Sequence, residues 1–305
     1  YIFYNDGSIP TTAATADVMI TGESGSYFSG YALTSGDFNS DGKTDLAVGA
    51  YGYSSNIGRT YIFYNDGSIP TTAATADVII TGETASSSFG IALTSGDWNA
   101  DGKIDLAVGA YGYSSNRGRI YMYTFNDGVV TGEATSNNFG YAMTSGDFNA
   151  DGKTDLAVGA YGYSSNAGRT YIFYNDGSIP TTAATSDVII TGEASSFFGS
   201  ALTSGDFNAD GKTDLAVGAY GYSTNTGRAY LFYNDGSIPT TAATADVIIT
   251  GETTNNYFGI SLTSGDFNAD GRVDVAVGAF LFSSNTGRAY IFYNDGSIPT
   301  TAATA

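Results

Sequence analysis

The chain has 305 residues, with 41 Gly, 24 Tyr, no Cys, no His and a formal charge of −19. Without Cys or His it has no disulfide, no thiolate or imidazole ligand for zinc or copper, and no Cys or His general base. The acidity argues against a nucleic-acid surface, which needs Lys and Arg, and no apolar run is long enough to span a membrane.

Taken from the start, residues 1–16 repeat residues 290–305, both reading Tyr-Ile-Phe-Tyr-Asn-Asp-Gly-Ser-Ile-Pro-Thr-Thr-Ala-Ala-Thr-Ala. The first residue is Tyr rather than Met and no signal peptide opens the chain, so a processed or fragmentary chain is expected. A first strand is expected over Phe28 to Asp37, then a loop, then a second strand over Asp45 to Tyr51. Arg59 to Tyr64, aromatic and β-branched, reads as strand three, and Asp77 to Gly82 as strand four. Asn65-Asp66-Gly67 and Pro70 mark the turn between the last two. No stretch shows sustained helical periodicity.

The loop between strands one and two carries the strongest chemical signal. Asp37, Asn39, Asp41 and Asp45 put side-chain oxygens at positions 1, 3, 5 and 9, and Gly42 at position 6 permits a sharp turn. Alternate oxygens of a tight loop can converge on a hard cation, and Ca²⁺ wants six to eight of them at about 2.3–2.6 Å. Lys43 would supply only its backbone carbonyl. An EF-hand would need Glu at position 12; here that residue is Val48, in the strand-like run Leu46-Ala47-Val48-Gly49-Ala50.

The pattern recurs four more times: Asp97, Asn99, Asp101, Lys103 and Asp105; Asp147, Asn149, Asp151, Lys153 and Asp155; Asp206, Asn208, Asp210, Lys212 and Asp214; Asp266, Asn268, Asp270, Arg272 and Asp274. These loops supply fifteen of the 30 acidic residues, so about five Ca²⁺ would bring the charge from −19 to −9. The acidity is therefore mostly local site chemistry.

The first Asp of each loop stands at 37, 97, 147, 206 and 266. Five such units of four antiparallel strands, repeated radially, predict an all-β fold, a β-propeller of four-stranded blades, as a single repeat domain over residues 1–305. Small residues in strands one and two suit a crowded axis, and Tyr, Ile and Phe in strand three suit the wedge between blades. The third loop arrives ten residues early, because Ser-Ile-Pro-Thr-Thr-Ala-Ala-Thr-Ala-Asp is missing after Gly128. Strand four of the fifth blade could come from Asp17 to Gly22, closing a ring. Alternatively the chain is a window on a longer array, or its end strands pair with another molecule.

These units resemble the FG-GAP repeats of integrin α-subunit propellers and their bacterial relatives. The motif reads Phe89-Gly90, then Asp97 to Asp105, then Leu106-Ala107-Val108-Gly109-Ala110-Tyr111. The family usually has Pro after Gly-Ala, where Tyr51, Tyr111, Tyr161, Tyr220 and Phe280 stand here, and the first unit has Phe28-Ser29-Gly30 instead of Phe-Gly. The resemblance implies a Ca²⁺-stabilised propeller, often extracellular and adhesive, with ligands commonly on the face opposite the metal loops.

On that opposite face the Tyr-Gly-Tyr-Ser-Ser-Asn loops, such as Tyr111 to Asn116, offer aromatic faces beside hydroxyls and amides, which suit either sugar binding or blade packing. The fifth unit has Phe280-Leu281-Phe282 there instead, an apolar contact patch or simple drift. Arg59, Arg119, Arg169, Arg228 and Arg288 open strand three, and Glu23, Glu83, Glu133, Glu193 and Glu252 close strand four. Their recurrence in every unit points to structural ion pairs rather than a catalytic carboxylate pair, which would be unique and set at a defined separation. Ser-Ile-Pro-Thr-Thr-Ala-Ala-Thr has the composition of an O-glycosylated stretch or an exposed connection, and there is no Asn-x-Ser/Thr sequon. The expectation is a non-enzymatic, extracellular or cell-surface Ca²⁺-binding module, structural or adhesive, within a surface protein or filament. Its partners would be a protein or further copies joined through end strands. The alternative is a lectin-like propeller that binds glycans through the Tyr/Ser/Asn loops; an enzyme-attached domain ranks below both.

Overall fold

Each Asp-rich loop turns one strand back on the next, and the chain repeats this five times. The computed structural model describes residues 1–4, 11–23, 29–123, 128–177 and 179–304. Blade one is β1 (Ala32–Gly36), β2 (Asp45–Ala50), β3 (Arg59–Phe63) and β4 (Val78–Thr81). Blade two is β5 (Leu93–Gly96), β6 (Asp105–Ala110), β7 (Arg119–Tyr123) and β8 (Gly128–Thr131). Blade three is β9 (Ala142–Gly146), β10 (Asp155–Ala160), β11 (Arg169–Phe173) and β12 (Val188–Thr191). Blade four is β13 (Ala201–Gly205), β14 (Asp214–Ala219), β15 (Arg228–Phe232) and β16 (Val247–Thr250). Blade five has three strands, β17 (Ser261–Gly265), β18 (Asp274–Ala279) and β19 (Arg288–Phe292). Every sheet is antiparallel with strands in chain order, as expected for the blades of a β-propeller. The expected start of strand one at Phe28 lies outside the described residues, as do residues 5–10 and 305 of the duplicated ends.

Register is the same from blade to blade. Gly36 faces Asp45, Val48 faces Tyr61, and Arg59 faces Thr81; blade four repeats this with Gly205–Asp214, Val217–Tyr230 and Arg228–Thr250. Such constancy follows from the period of two in a strand, since a one-residue slip would turn every core residue to the other side.

The core lies between blades rather than within them. Ala216, Ala229, Leu231 and Ile249 of blade four pack against Phe258, Val275, Val277 and Tyr290 of blade five, and all eight are buried. The blade two–three and three–four interfaces repeat this, with Phe139 and Phe198 in the place of Phe258. The inner strands stand side by side and are stitched together by serines. Ser95 Oγ donates to the Ser35 carbonyl at 2.9 Å, and Ser145, Ser204 and Ser264 each donate to the preceding blade's serine carbonyl at 2.8 Å.

Two kinds of turn have a conformation that the sequence does not announce. Residues 73–75 and their counterparts form short 3₁₀ turns. Each rests beside strand four of the preceding blade, through bridges such as Thr131–Thr182 and Thr191–Thr241. Blade two has lost this segment with its ten missing residues, and Ile80 on β4 of blade one is only half-buried, whereas its counterparts Val130, Ile190 and Ile249 are buried. The Tyr-Ser-Ser-Asn loops each make a left-handed turn. Ser54, Ser55 and Asn56 have φ of 45°, 58° and 59°, a conformation costly for residues with a Cβ. The turn is held by the next loop, with Ser86 and Ser88 N–H donating to the Ser55 and Asn56 carbonyls at 3.1 and 2.7 Å.

Residues 17–22 do not lie against β19 in this structure. Val18 bridges Ile2 instead, and Thr21 bridges Thr72 of blade one.

Candidate metal centres

The five loops are superimposable in their bonding. In the first, position 4 (Ser40) and position 6 (Gly42) both have left-handed backbone, φ 61° and 84°, which curls the chain around the acidic side chains. Asp37 accepts from the Asp41 and Gly42 N–H groups at 3.0 and 2.8 Å, and Asn39 Oδ1 accepts from Asp41 N–H at 3.0 Å. Asp41 Oδ1 accepts from Lys43 N–H at 2.9 Å. The loops at Asp97, Asp147, Asp206 and Asp266 make the same bonds. Position 4 is Ala in those four loops, a left-handed residue that no sequence rule would flag.

Position 9 behaves differently from positions 1, 3 and 5. Asp155 is fully buried and accepts from Phe148 N–H and Asn175 N–H, both at 2.8 Å. Asp45, Asp214 and Asp274 repeat this pair of bonds, and Asp105 accepts from Trp98 N–H. The position-9 carboxylate thus ties the loop to the turn after strand three. Burial pushes Asp105, Asp155 and Asp214 up to about 6, opposed by these backbone donors and reinforced by the neighbouring loop carboxylates. A divalent cation close by would reverse that, because it favours the ionised form.

Among the described residues, no three acidic side chains are placed so as to enclose an ion as they stand. The chemistry of the donors nonetheless fits a hard cation. All are oxygens, four of them side-chain oxygens within nine residues. A carboxylate oxygen that accepts one backbone N–H keeps a second lone pair. Asp37, Asn39, Asp41 and Asp45, with the Lys43 carbonyl, would hold a Ca²⁺, and the other loops would do likewise. The ion would supply positive charge to a cluster of carboxylates.

Sequence reasoning missed a link between these loops and the next blade. Asn175 Nδ2 donates to the Asp97 carbonyl at 3.2 Å, and Asn234 Nδ2 to the Asp147 carbonyl at 3.4 Å. In sequence these asparagines signal only a turn.

The Arg–Glu pairs lie between blades. Glu23, Glu83, Glu133, Glu193 and Glu252 each meet the Arg of the following blade at 2.9–3.1 Å. Each guanidinium also lies 3.5–3.7 Å from a ring centroid, over Tyr53, Tyr113, Tyr163, Tyr222 and Phe282. One face of every second Tyr of the Tyr-Gly-Tyr loops is therefore taken by Arg. The first Tyr of those loops joins an aromatic run near the axis. It passes through Tyr111, Tyr141, Tyr161, Phe197, Tyr220, Tyr257 and Phe280, with centroids 4.6–6.0 Å apart.

Comparison with known proteins agrees with this geometry. The FG-GAP repeat family profile matches residues 29–63, 139–173, 198–232 and 258–292, which are strands one to three of blades one, three, four and five. Human phosphatidylinositol-glycan-specific phospholipase D is 43% identical over 107 residues, 31% of this chain and 13% of that protein. Integrin alpha-PS2 of Drosophila melanogaster is 38% identical over 115 residues, 34% of this chain and 8% of that one. Integrin alpha-M of Mus musculus is 43% identical over 86 residues, 27% of this chain and 8% of that one. The chain thus spans about an eighth or less of these relatives. The chain carries FG-GAP repeats in four of its five blades and is similar to integrin alpha chains over about a third of its length.

Proposed function

We propose that this chain is a non-catalytic, extracellular propeller domain spanning residues 1–305, stabilised by about five Ca²⁺, that serves a structural or adhesive role through a protein partner. The observation that carries the reading is the recurrence of one oxygen-only loop five times, each with the same hydrogen bonds and a buried position-9 Asp. A metal at such a loop couples binding to folding, because the site exists only when strands one and two are paired. Weak sites of this kind suffice where Ca²⁺ is abundant, as outside cells. A non-catalytic role is supported by the pairing of the strand-four Glu with an Arg of the following blade in the same way from blade to blade, which is how a structural carboxylate is used. The integrin names among the relatives support a protein partner, and the match to the phospholipase relative covers 13% of that enzyme.

Calorimetric titration of the chelator-stripped chain should give about five Ca²⁺ per chain, and Asp101→Ala should give one fewer. Trp98, the single Trp, sits inside the second loop and is buried, so its fluorescence should report filling of that site. No Ca²⁺ uptake, or five ions retained by the variant, would overturn the assignment.

A further inference from the structure

Two surfaces of the molecule are halves of an interface that the chain builds four times internally. The forward half is on blade five. Phe267 is 43% exposed and Ile291 38%, whereas their blade-four counterparts, Phe207 and Leu231, are 1% and 0% exposed. The backward half is on blade one. Leu33 is 60% exposed, whereas Leu93, Met143 and Leu202 at the same place are 8–9%.

The polar and steric features match as well. In each internal interface a serine of the later inner strand donates to a serine carbonyl of the earlier one. Continued by one step, that series sets Ser35 of blade one against the Ser264 carbonyl of blade five. Likewise Ile104, Thr154, Thr213 and Val273 press on Gly36, Gly96, Gly146 and Gly205, so closely that a Cβ there would come within 2.6–2.7 Å. Gly265 of blade five meets only its own Phe267, and the corresponding Thr44 of blade one is exposed.

Among the described residues blade five has three strands, and a segment with the sequence of a fourth strand stands near the start of the chain. Ile20 packs on Val48, Tyr61 and Phe63 of blade one, the position a strand-four residue of a preceding blade takes. Its strand-three neighbour is the chain's own Tyr1 to Tyr4. Ile2 and Val18 exchange both backbone bonds at 2.8 and 3.2 Å, and Tyr4 N–H donates to Asp17 at 2.7 Å. Tyr1 to Tyr4 has the sequence of Tyr290 to Tyr293. The interior pairing Leu231–Val247 would set Ile291 opposite Val18, which is where Ile2 now stands.

We infer that a second copy of this chain docks head to tail, its residues 17–22 completing blade five of the first copy and its own residues 1–16 being displaced by the identical 290–305. The strand lost and the strand gained are the same, so that exchange is nearly neutral, as in domain swapping. The gain is burial of Phe267, Ala289 and Ile291 against Leu33 and Leu46, with the serine stitch continued. The contact is heterologous and therefore propagates into a filament or closes into a ring of copies.

Sedimentation velocity of the 305-residue chain over a range of concentrations, in Ca²⁺, reads this out. Reversible association is expected. Ile2→Pro removes one N–H of the stand-in pairing alone and should strengthen association several-fold. Leu33→Asp, at a residue already in solvent, should leave the monomer's melting unchanged and weaken association by about tenfold or more, because it puts a charge into the new core. The chain has no Cys, so a Val18→Cys, Ile291→Cys pair should oxidise into a ladder of linked copies. A monomer at every concentration, a disulfide closed within one molecule, or association indifferent to Leu33→Asp would each overturn the proposal.

Discussion

Blades four and five carry nearly the same third strand, Arg228-Ala229-Tyr230-Leu231-Phe232 against Arg288-Ala289-Tyr290-Ile291-Phe292, in the same register to strand two. Their burial differs. Ala229 and Leu231 are sealed under blade five, while Ala289 and Ile291 face solvent. Tyr290 and Phe292, which point back toward blade four, remain buried. Burial in this array is therefore a property of the neighbour, not of the residue, as expected when stability is a sum of units and the interfaces between them.

Alkali offers the broadest test of that sealed interior. Burial pushes Tyr121 and Tyr161 up to about 12, and raises Tyr171 and Tyr230 as well. A tyrosine whose folded pKa lies above its unfolded value, near 10, lends stability that is whole below pH 10 and is lost as pH climbs through the folded value. The interior blades should come apart together between about pH 10 and 12, with tyrosinate absorbance and loss of β-structure rising in step. Titration of nearly all tyrosines at pH 10 with the circular dichroism unchanged would mean that the interfaces are wet.

The next effect is local and separates the two blades directly. Leu231→Ala should cost about 2–5 kcal/mol, the range for a buried large-to-small change. Ile291→Ala should stay within about 0.5 kcal/mol in dilute solution, as for a surface substitution. Urea denaturation of both variants checks it. Equal losses in the two variants would show that the last face is covered after all.

Much of this contrast was legible in the sequence, and the illegible part has a common cause. The five loops, the four strands per blade and the large-versus-small gradient all follow from patterns within one unit. Asp37 to Asp45 carries its own turn chemistry, and Val78 to Thr81 is a β-branched run. What could not be read were relations between units: that Glu133 meets Arg169 of the next blade, that Asn175 reaches back to the loop at Asp97, and that Leu33 and Leu202 differ in burial. The left-handed turns at Ser54 and Ser55 were hidden for a related reason. Residues with a Cβ hold positive φ there because a loop on the next blade supplies the donors, and nothing in Tyr-Ser-Ser-Asn announces it.

Within the loops, position 9 and position 5 should part company. Asp155→Ala leaves two buried N–H groups unpaired and should destabilise the chain by about 1–3 kcal/mol even in chelator. Asp151 is exposed, so Asp151→Ala should matter little in chelator and should lower the melting temperature only when Ca²⁺ is present. Thermal melts of both variants with and without Ca²⁺ give the four values needed. If the two variants behave alike in chelator, the buried carboxylate is not the tie between the loop and strand three.

The smallest effect concerns the ion pairs. Glu133 gives both oxygens to Arg169 at 2.9 and 3.1 Å and is partly buried, while Glu83 gives one oxygen to Arg119 at 3.1 Å and is half exposed. Pairs near the surface are worth about 0.2–1 kcal/mol, so Glu133→Gln should fall near the top of that range and Glu83→Gln near zero, measured by the same melts. The loss is bounded because each guanidinium keeps its other anchors. Arg169 stays stacked on Tyr163 and bonded to Thr191, and Gln can still accept one of the hydrogen bonds. A loss well beyond 1 kcal/mol at Glu133 would mean that the Arg–Glu–Tyr cluster acts as one unit between blades, so that breaking the pair also releases the ring beneath it and the left-handed turn that carries it.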